Sequence, residues 1–249
     1  MLYPFILTTL AGLATMIGAI PIFVKIKNKN NIISSACSFA SAVMICISIF
    51  DLIPEAISSF RSNFNGLLIV LFTFIFIVVG IIISMILDHY VDKTSESSNL
   101  FKVGIMSMIA IILHNIPEGI VTFIVSDQNI ILGISICIAI ALHNIPEGIS
   151  IAIPIYYSTG SKKKALLYTF VSSLSEPIGA IIAWLFLSKY MNDIILGIIF
   201  SFIAGIMMQI AFSKLLPTGT NYNRKLSMVF FVFGFILMGI SLLLNNLIS

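Results

Sequence analysis

Residues 103–125, VGIMSMIAIILHNIPEGIVTFIV, are followed after a three-residue turn by residues 129–156, NIILGISICIAIALHNIPEGISIAIPIY. At ~1.5 Å rise per residue, each stretch is long enough to cross ~30 Å of hydrocarbon as an α-helix. Both carry the same six residues near their middle, His-Asn-Ile-Pro-Glu-Gly, at 114–119 and 143–148. An ionised side chain at that depth costs ~2.5–3.5 kcal/mol. Two histidines and two glutamates held there therefore mark a functional site, and a cation bound between the copies would offset their cost.

Depth and direction follow from the turn. Asp127 marks it; His114 lies 13 residues before and His143 lies 16 residues after. At helical rise these separations are ~20 Å and ~24 Å, so both motifs fall near the bilayer midplane. Consecutive spans run in opposite directions, and the repeated string meets itself head to tail. That is the pattern of an inverted repeat with its site at the midplane.

The motif has an internal geometry. At ~100° per residue, with His114 at 0°, Glu118 falls at about 40° and Asn115 at about 100°. Glu118 is therefore expected to share a metal with His114 on one side and with Asn115 on the other; His143, Glu147 and Asn144 repeat the arrangement. One ion fits among His114, Glu118, His143 and Glu147. A second fits beside it, using the amides and sharing the carboxylates. Imidazole with carboxylate suits Zn²⁺, Fe²⁺, Ni²⁺ or Mn²⁺, and a site without thiolates releases its ion more readily than a structural zinc site. Pro117 and Pro146 cannot donate to the carbonyls of Leu113 and Leu142, so a break in helical hydrogen bonding is expected at both. Gly119 and Gly148 leave room for close helix approach.

The rest of the chain agrees with a membrane setting. Of its 249 residues 59% are hydrophobic and 9% charged, with a mean hydropathy of +1.13. A soluble domain carries roughly 25% charged residues, which excludes an ordinary water-soluble core. Eight apolar stretches are long enough to span, near residues 3–24, 32–58, 66–87, 103–125, 129–156, 164–188, 194–215 and 226–247. The expected fold is an all-α membrane protein in one polytopic domain, residues 1–249. The first stretch lacks a basic leader and a small-residue cleavage site, and reads as a span rather than a signal peptide. Cys37, Cys46 and Cys137 lie in apolar spans without a Cys-x-x-Cys pattern and are expected as small buried residues. No long basic tract is present, so nucleic acid is not an expected partner.

Orientation comes from the 13 Lys and Arg residues. Lys25, Lys27, Lys29, Lys93, Lys102, Lys162, Lys163, Lys164, Lys214, Arg224 and Lys225 fall on one side, and Arg61 and Lys189 on the other. The positive-inside rule puts the odd-numbered loops in the cytoplasm and both termini outside. The longest polar piece, Asp88–Phe101, is expected to be a flexible loop.

Other polar residues fit the same path. Glu176 lies 12 residues past Lys164, hence ~18 Å deep, and is a candidate ligand from a third helix. Asp51, with Glu55 one turn further out, is a candidate cation entrance near the outer end of the second span. Gln209 is more readily a packing residue than a ligand. Lys214 is expected to snorkel to the inner interface.

The paired strings, the eight spans and the orientation resemble the ZIP (Zrt/Irt-like) metal transporters, closest to the bacterial ZupT-like branch. The likeness covers essentially the whole chain, including Thr8-Thr-Leu-Ala-Gly-Leu-Ala-Thr15, Asp51-Leu-Ile-Pro54, Gly205-Ile-Met207 and Leu216-Pro217. It implies a ZIP-type bundle in a bacterial plasma membrane that takes divalent metal into the cytoplasm. It also implies a binuclear centre at His114, Asn115, Glu118, His143, Asn144 and Glu147, completed by Glu176, with Asp51 as the acidic residue of helix two. The sequence departs from the family in helix seven. Ser213 and Lys214 stand where relatives often carry an acidic pair, so a cation replaces an acid near the inner end.

The expected function is uptake of Zn²⁺, with Fe²⁺ and Mn²⁺ as further candidates. Ions enter past Asp51 and leave toward Asp88, Asp92 and Glu96. The metal is cargo, and no catalytic cofactor is expected. The bilayer and divalent ions are the expected partners, with a second copy of the chain as the candidate protein partner. The competing reading is a zinc-dependent intramembrane hydrolase. It needs an open metal position and a general base; the His-Glu-x-x-His signature is absent and no such base is evident. A passive channel would use the same site.

Overall fold

The computed structural model describes residues 2–24, 27–94, 98–187 and 192–248. Lys25 and Lys189 of the charge pattern, and Glu96 of the inner acidic group, lie outside the described residues. Among the described residues, eight helices are long and apolar enough to cross a membrane: α1 Leu2–Phe23, α2 Lys29–Arg61, α3 Leu67–Lys93, α4 Asn99–Gln128, α5 Ile130–Thr159, α6 Lys162–Leu185, α7 Asp193–Tyr222 and α8 Arg224–Leu243. The described residues contain no strand. Each helix overlaps one expected span, because ~20 apolar residues between polar ends fix the crossing.

The stretch Asp88–Phe101 corrects the expectation of a flexible loop. Helix α3 runs on to Lys93 and α4 starts at Asn99, leaving a short connection. Ser98 caps α4, its hydroxyl accepting from the Phe101 N–H at 3.4 Å. Lys102 Nζ closes the turn on Asp92, 3.2 Å from its carboxylate and 3.1 Å from its main-chain oxygen. Hydropathy measures how much helix lies in hydrocarbon, and here the helices continue past it.

The antiparallel pair α4 and α5 forms the centre. Helices α1 and α6 pack on that pair, and α2 joins it through α5. Further pairings are α7 on α2, α8 on α2 and α3 on α7. The main core runs through the inward faces of α2, α4, α5 and α7, with Met44, Ile47, Met106, Ile111, Ile151 and Met207 fully buried.

Several helices depart from regular α geometry. Helix α1 tightens into a 3₁₀ segment over Ala14–Phe23. Helices α2 and α7 each contain a π-turn, Ser48–Leu52 and Ala211–Leu215, just ahead of Pro54 and Pro217. Proline removes a donor, and a wider turn re-spaces the carbonyls that lose their partner. Helix α6 is interrupted at Leu174, between Lys162–Ser173 and Ser175–Ile182. Pro117 and Pro146 donate no hydrogen bond, as expected, yet the α-helix continues through both. Packing on both sides holds these two helices through the lost bonds.

Candidate metal centre

The turn between α4 and α5 sets the register of the two motifs. Asn129 ends α4 by donating its N–H to the Val125 carbonyl at 2.9 Å. Its side chain then caps α5, accepting from the Ile131 and Leu132 N–H groups at 3.0 and 3.3 Å. From this turn the two strings lie at nearly equal distances along opposed helices, so they meet.

Their meeting produces one imidazole–carboxylate cluster. Glu118 stands between the two histidines: His143 Nε2 lies 2.8 Å from Glu118 Oε1, and His114 Nε2 lies 3.5 Å from Glu118 Oε2. His114 Nε2 is also 3.9 Å from Glu147 Oε1. One donor atom from each of His114, Glu118 and His143 falls within 4.8 Å of the others. His114, His143 and Glu147 are 3%, 4% and 1% exposed. His114 Nε2, Glu118 Oε2 and both Glu147 oxygens have no hydrogen-bond partner. Buried polar atoms are normally paired, and an orphan set converging on one point needs an explanation. A divalent cation supplies one.

The amides do something else. Asn115 Nδ2 donates to Glu176 Oε1 at 3.4 Å, and Asn144 Nδ2 donates to the same oxygen and to the Ala11 carbonyl at 2.9 Å. Asn115, Asn144 and Glu176 are fully buried. Asn115 Oδ1, Asn144 Oδ1 and Glu176 Oε2 are left without partners. This corrects the helical-wheel expectation that Glu118 would serve His114 and Asn115 alike. Glu118 turns to the imidazoles, and the carboxylate met by the amides is Glu176. Two clusters result, one of nitrogen and oxygen donors and one of oxygen donors alone.

Glu176 reaches the amides because α4 and α6 touch backbone to backbone. A Cβ on Gly119 would overlap the Glu176 carbonyl, and one on Gly179 would overlap the Ile116 carbonyl. Helix α1 meets α5 in the same manner, with Gly148 against the Thr15 carbonyl and Gly18 against the Ile145 carbonyl. The motif glycines thus bring two further helices to the site. The interruption at Leu174, just before Pro177, starts the second half of α6 at Ser175 and puts Glu176 in its first turn. The carbonyl of Ala11 is a contributor that side-chain reasoning could not find; the run of small residues around it was the one visible signal.

Asp51 is half-buried in the π-turn of α2. It lies within electrostatic range of His143 and Glu118 as well as Glu55. Glu55 is exposed one turn further along. Gln209 accepts from Ser84 Oγ at 2.7 Å and so belongs to the α3–α7 contact, apart from the ligand clusters. Lys214 does not snorkel freely. Its Nζ lies 2.6 Å from Asp88 Oδ1 and 3.7 Å from Asp92 Oδ2. Two acids on α3 supply the counter-charge that an extended lysine would otherwise seek in headgroups and water.

The family model described as "ZIP Zinc transporter" matches residues 92–242. The chain is 39% identical to a protein named zinc transporter ZupT of Streptococcus mutans, over 96% of each chain. It is 38% identical to the zinc transporter ZupT of Oceanobacillus iheyensis over 98% of each. The protein of that name from Campylobacter jejuni is 36% identical over 88% of each.

Proposed function

The chain belongs to the ZIP zinc transporter family, and from that premise we propose that His114, Glu118, His143 and Glu147 hold a zinc ion in transit while Asn115, Asn144 and Glu176 take a second. It is a multi-pass membrane protein that takes up divalent metal, and it is not an enzyme. The site assignment is carried by one observation. Two copies of a motif on opposed helices converge buried nitrogen and oxygen donors, of which His114 Nε2, Glu118 Oε2 and both Glu147 oxygens have no hydrogen-bond partner among the described residues.

The chemistry follows from the donor set. An ion leaving water must recover its hydration from ligands already in place. Glu118 lies between both imidazoles, so it accompanies the ion whichever histidine binds first. Glu147 adds the second carboxylate, so a divalent charge meets two anions and is neutralised at the centre. Without thiolates, the ion can exchange onward. The oxygen-only cluster at Glu176 binds a transition ion less tightly than imidazole does, and is the natural second position. Fe²⁺ and Mn²⁺ suit the same donors and are proposed as competitors for zinc.

For direction, the basic residues place the Lys29, Lys162 and Arg224 ends of their helices in the cytoplasm and both termini outside. Asp51 and Glu55 then stand on the outer approach. The test is Zn²⁺ influx into proteoliposomes, comparing the wild type with Glu118→Ala plus Glu147→Ala at equal reconstitution. Influx in the wild type and none in the double variant is expected. Equal influx in both would overturn the site.

A further inference from the structure

A cavity of about 250 Å³ lies between α1, α2, α5 and α8. Pro21, Ile32, Ala36, Phe39, Ile153 and Phe230 are among its walls, and its accessible lining is wholly apolar. Phe39 stacks on Phe233 with ring centroids 5.9 Å apart, and Gly234 lets α8 press against the Phe39 carbonyl.

Its depth is fixed by the helix ends. Ile32 stands three residues beyond Lys29, the start of α2, and Phe39 stands ten beyond it. At helical rise the cavity runs from ~5 to ~15 Å below that end, the depth of one leaflet's hydrocarbon. Its open end carries positive charge from three helices. Lys29 begins α2 and Arg224 begins α8, and these ends are tied together by Asn223 Nδ2 donating to Asn31 Oδ1 at 3.0 Å. Lys162 begins α6, its Nζ 4.7 Å from the centre of the Phe23 ring, two residues beyond Pro21. All three basic residues are exposed.

We propose that this cavity is a binding site for one anionic phospholipid of the cytoplasmic leaflet, its acyl chain filling the apolar slot and its headgroup held by Lys29, Lys162 and Arg224. The apolar walls take a hydrocarbon chain and offer nothing to a polar solute. The length matches a single leaflet, and the charge at the mouth selects an anionic headgroup over a zwitterionic one. The site has a structural consequence. Ile149 also lines the cavity and follows Gly148 directly, while Pro21 belongs to the 3₁₀ segment that packs on Gly148. A chain in the slot therefore wedges α1 and α5 against α2 and α8, one turn from Glu147.

The chain has a single tryptophan, Trp184. Trp184→Phe with Phe39→Trp places an indole reporter at the deep end of the slot. Trp184→Phe with Val232→Trp places one on the exposed face of α8, where Val232 is 55% exposed. Both full-length variants are reconstituted in phosphatidylcholine, and brominated phosphatidylglycerol or brominated phosphatidylcholine is titrated in. Near-surface basic residues predict a roughly fivefold preference each. Half-quenching of the slot reporter is thus expected at a mole fraction of brominated phosphatidylglycerol about tenfold or more below that of brominated phosphatidylcholine. Lys29→Gln plus Arg224→Gln should remove most of that gap. Quenching of the slot reporter that matches the reporter on the α8 face, or that ignores the headgroup, would overturn the proposal and leave annular lipid only. Phe230→Trp gives a second reporter inside the slot should the Phe39 variant fail to fold.

Discussion

Asp51 and Lys214 occupy the same place in two matched turns. Ser48-Ile-Phe-Asp-Leu52 on α2 and Ala211-Phe-Ser-Lys-Leu215 on α7 are both five-residue π-turns. The charged residue is fourth in each, and a proline follows three residues later, Pro54 and Pro217. The inverted repeat thus places an acid at one end of the bundle and an ammonium at the other. Asp51 lies within electrostatic range of His143 and Glu118, whereas Lys214 is engaged by Asp88 and Asp92. On the proposed path, a cation is drawn toward the centre from the Asp51 side. On the Lys214 side the acids that would hold it are already neutralised.

The Lys214 pair makes a measurable contribution. Both side chains are largely shielded, 20% and 18% exposed. Lys214→Met leaves Asp88 with no cation at 2.6 Å and is expected to lower stability by about 1 kcal/mol. It should also expose Asp88 and Asp92 to divalent ions from the inner side. Thermal unfolding in detergent with and without Zn²⁺ checks this: the variant melts lower, and added Zn²⁺ restores more of the loss than it adds to the wild type. An unchanged melting temperature would show that the contact contributes nothing.

Glu176→Gln separates the two clusters. The substitution keeps the side chain's size but removes the charge that Asn115 and Asn144 point at. The imidazole cluster is untouched, since its shortest contacts are those of Glu118 with His143 and His114. Equilibrium dialysis with Zn²⁺ should find two ions per chain in the wild type and one in the variant, with the tighter constant retained. Loss of both ions would mean that the clusters form a single indivisible site.

Much of this was legible in the sequence, and the parts that were not have physical reasons. Span number and the meeting of the His114 and His143 motifs on opposed helices follow from helical rise and from the cost of charge in hydrocarbon. The division of labour between Glu118 and Glu176 does not. A helical wheel assigns a direction to each side chain of one helix but cannot say which neighbour lies there. Asn115 turns to α6 because Gly119 and Gly179 let that helix in. The partners of Lys214 were hidden for a related reason: Asp88 and Asp92 sit on α3, whose reach past the apolar run hydropathy does not see. The Ala11 carbonyl that meets Asn144 belongs to the backbone, and no residue type announces it.

Gly119→Ala tests that helix contact. A Cβ there would overlap the Glu176 carbonyl, a backbone atom that cannot swing aside. Forcing α4 and α6 apart is expected to cost about 1–3 kcal/mol of stability. It should also move Glu176 out of range of both amides. Gly66→Ala is the control, since a Cβ there meets no atom within 4 Å, although its φ of 53° makes it mildly strained. Zn²⁺ stoichiometry and melting temperature should both fall for Gly119→Ala. Binding should be unaffected for Gly66→Ala. Two ions bound to a Gly119→Ala protein of wild-type stability would contradict the packing argument.

Acid should weaken zinc binding through the histidines. A metal ligand must present a lone pair, and an imidazole nitrogen carrying a proton has none to offer. As pH falls, protons compete with Zn²⁺ for His114 and His143, and an imidazolium also repels the ion it once held. The sign is therefore fixed: affinity is greatest at neutral to mildly alkaline pH and declines on acidification. The carboxylates act in the same direction, because each proton taken up removes an anion from the centre. Titrating Zn²⁺ binding from about pH 7.5 down to about pH 5.5, the range in which imidazoles change charge, should show a falling association constant with protons released on binding. His114→Gln plus His143→Gln isolates the cause. The double variant binds weakly throughout, and its remaining pH dependence should be flatter, since only Glu118 and Glu147 are left to titrate at that cluster. A wild-type association constant that stays level across the range would exclude both imidazoles as ligands and shift the site to the oxygens around Glu176.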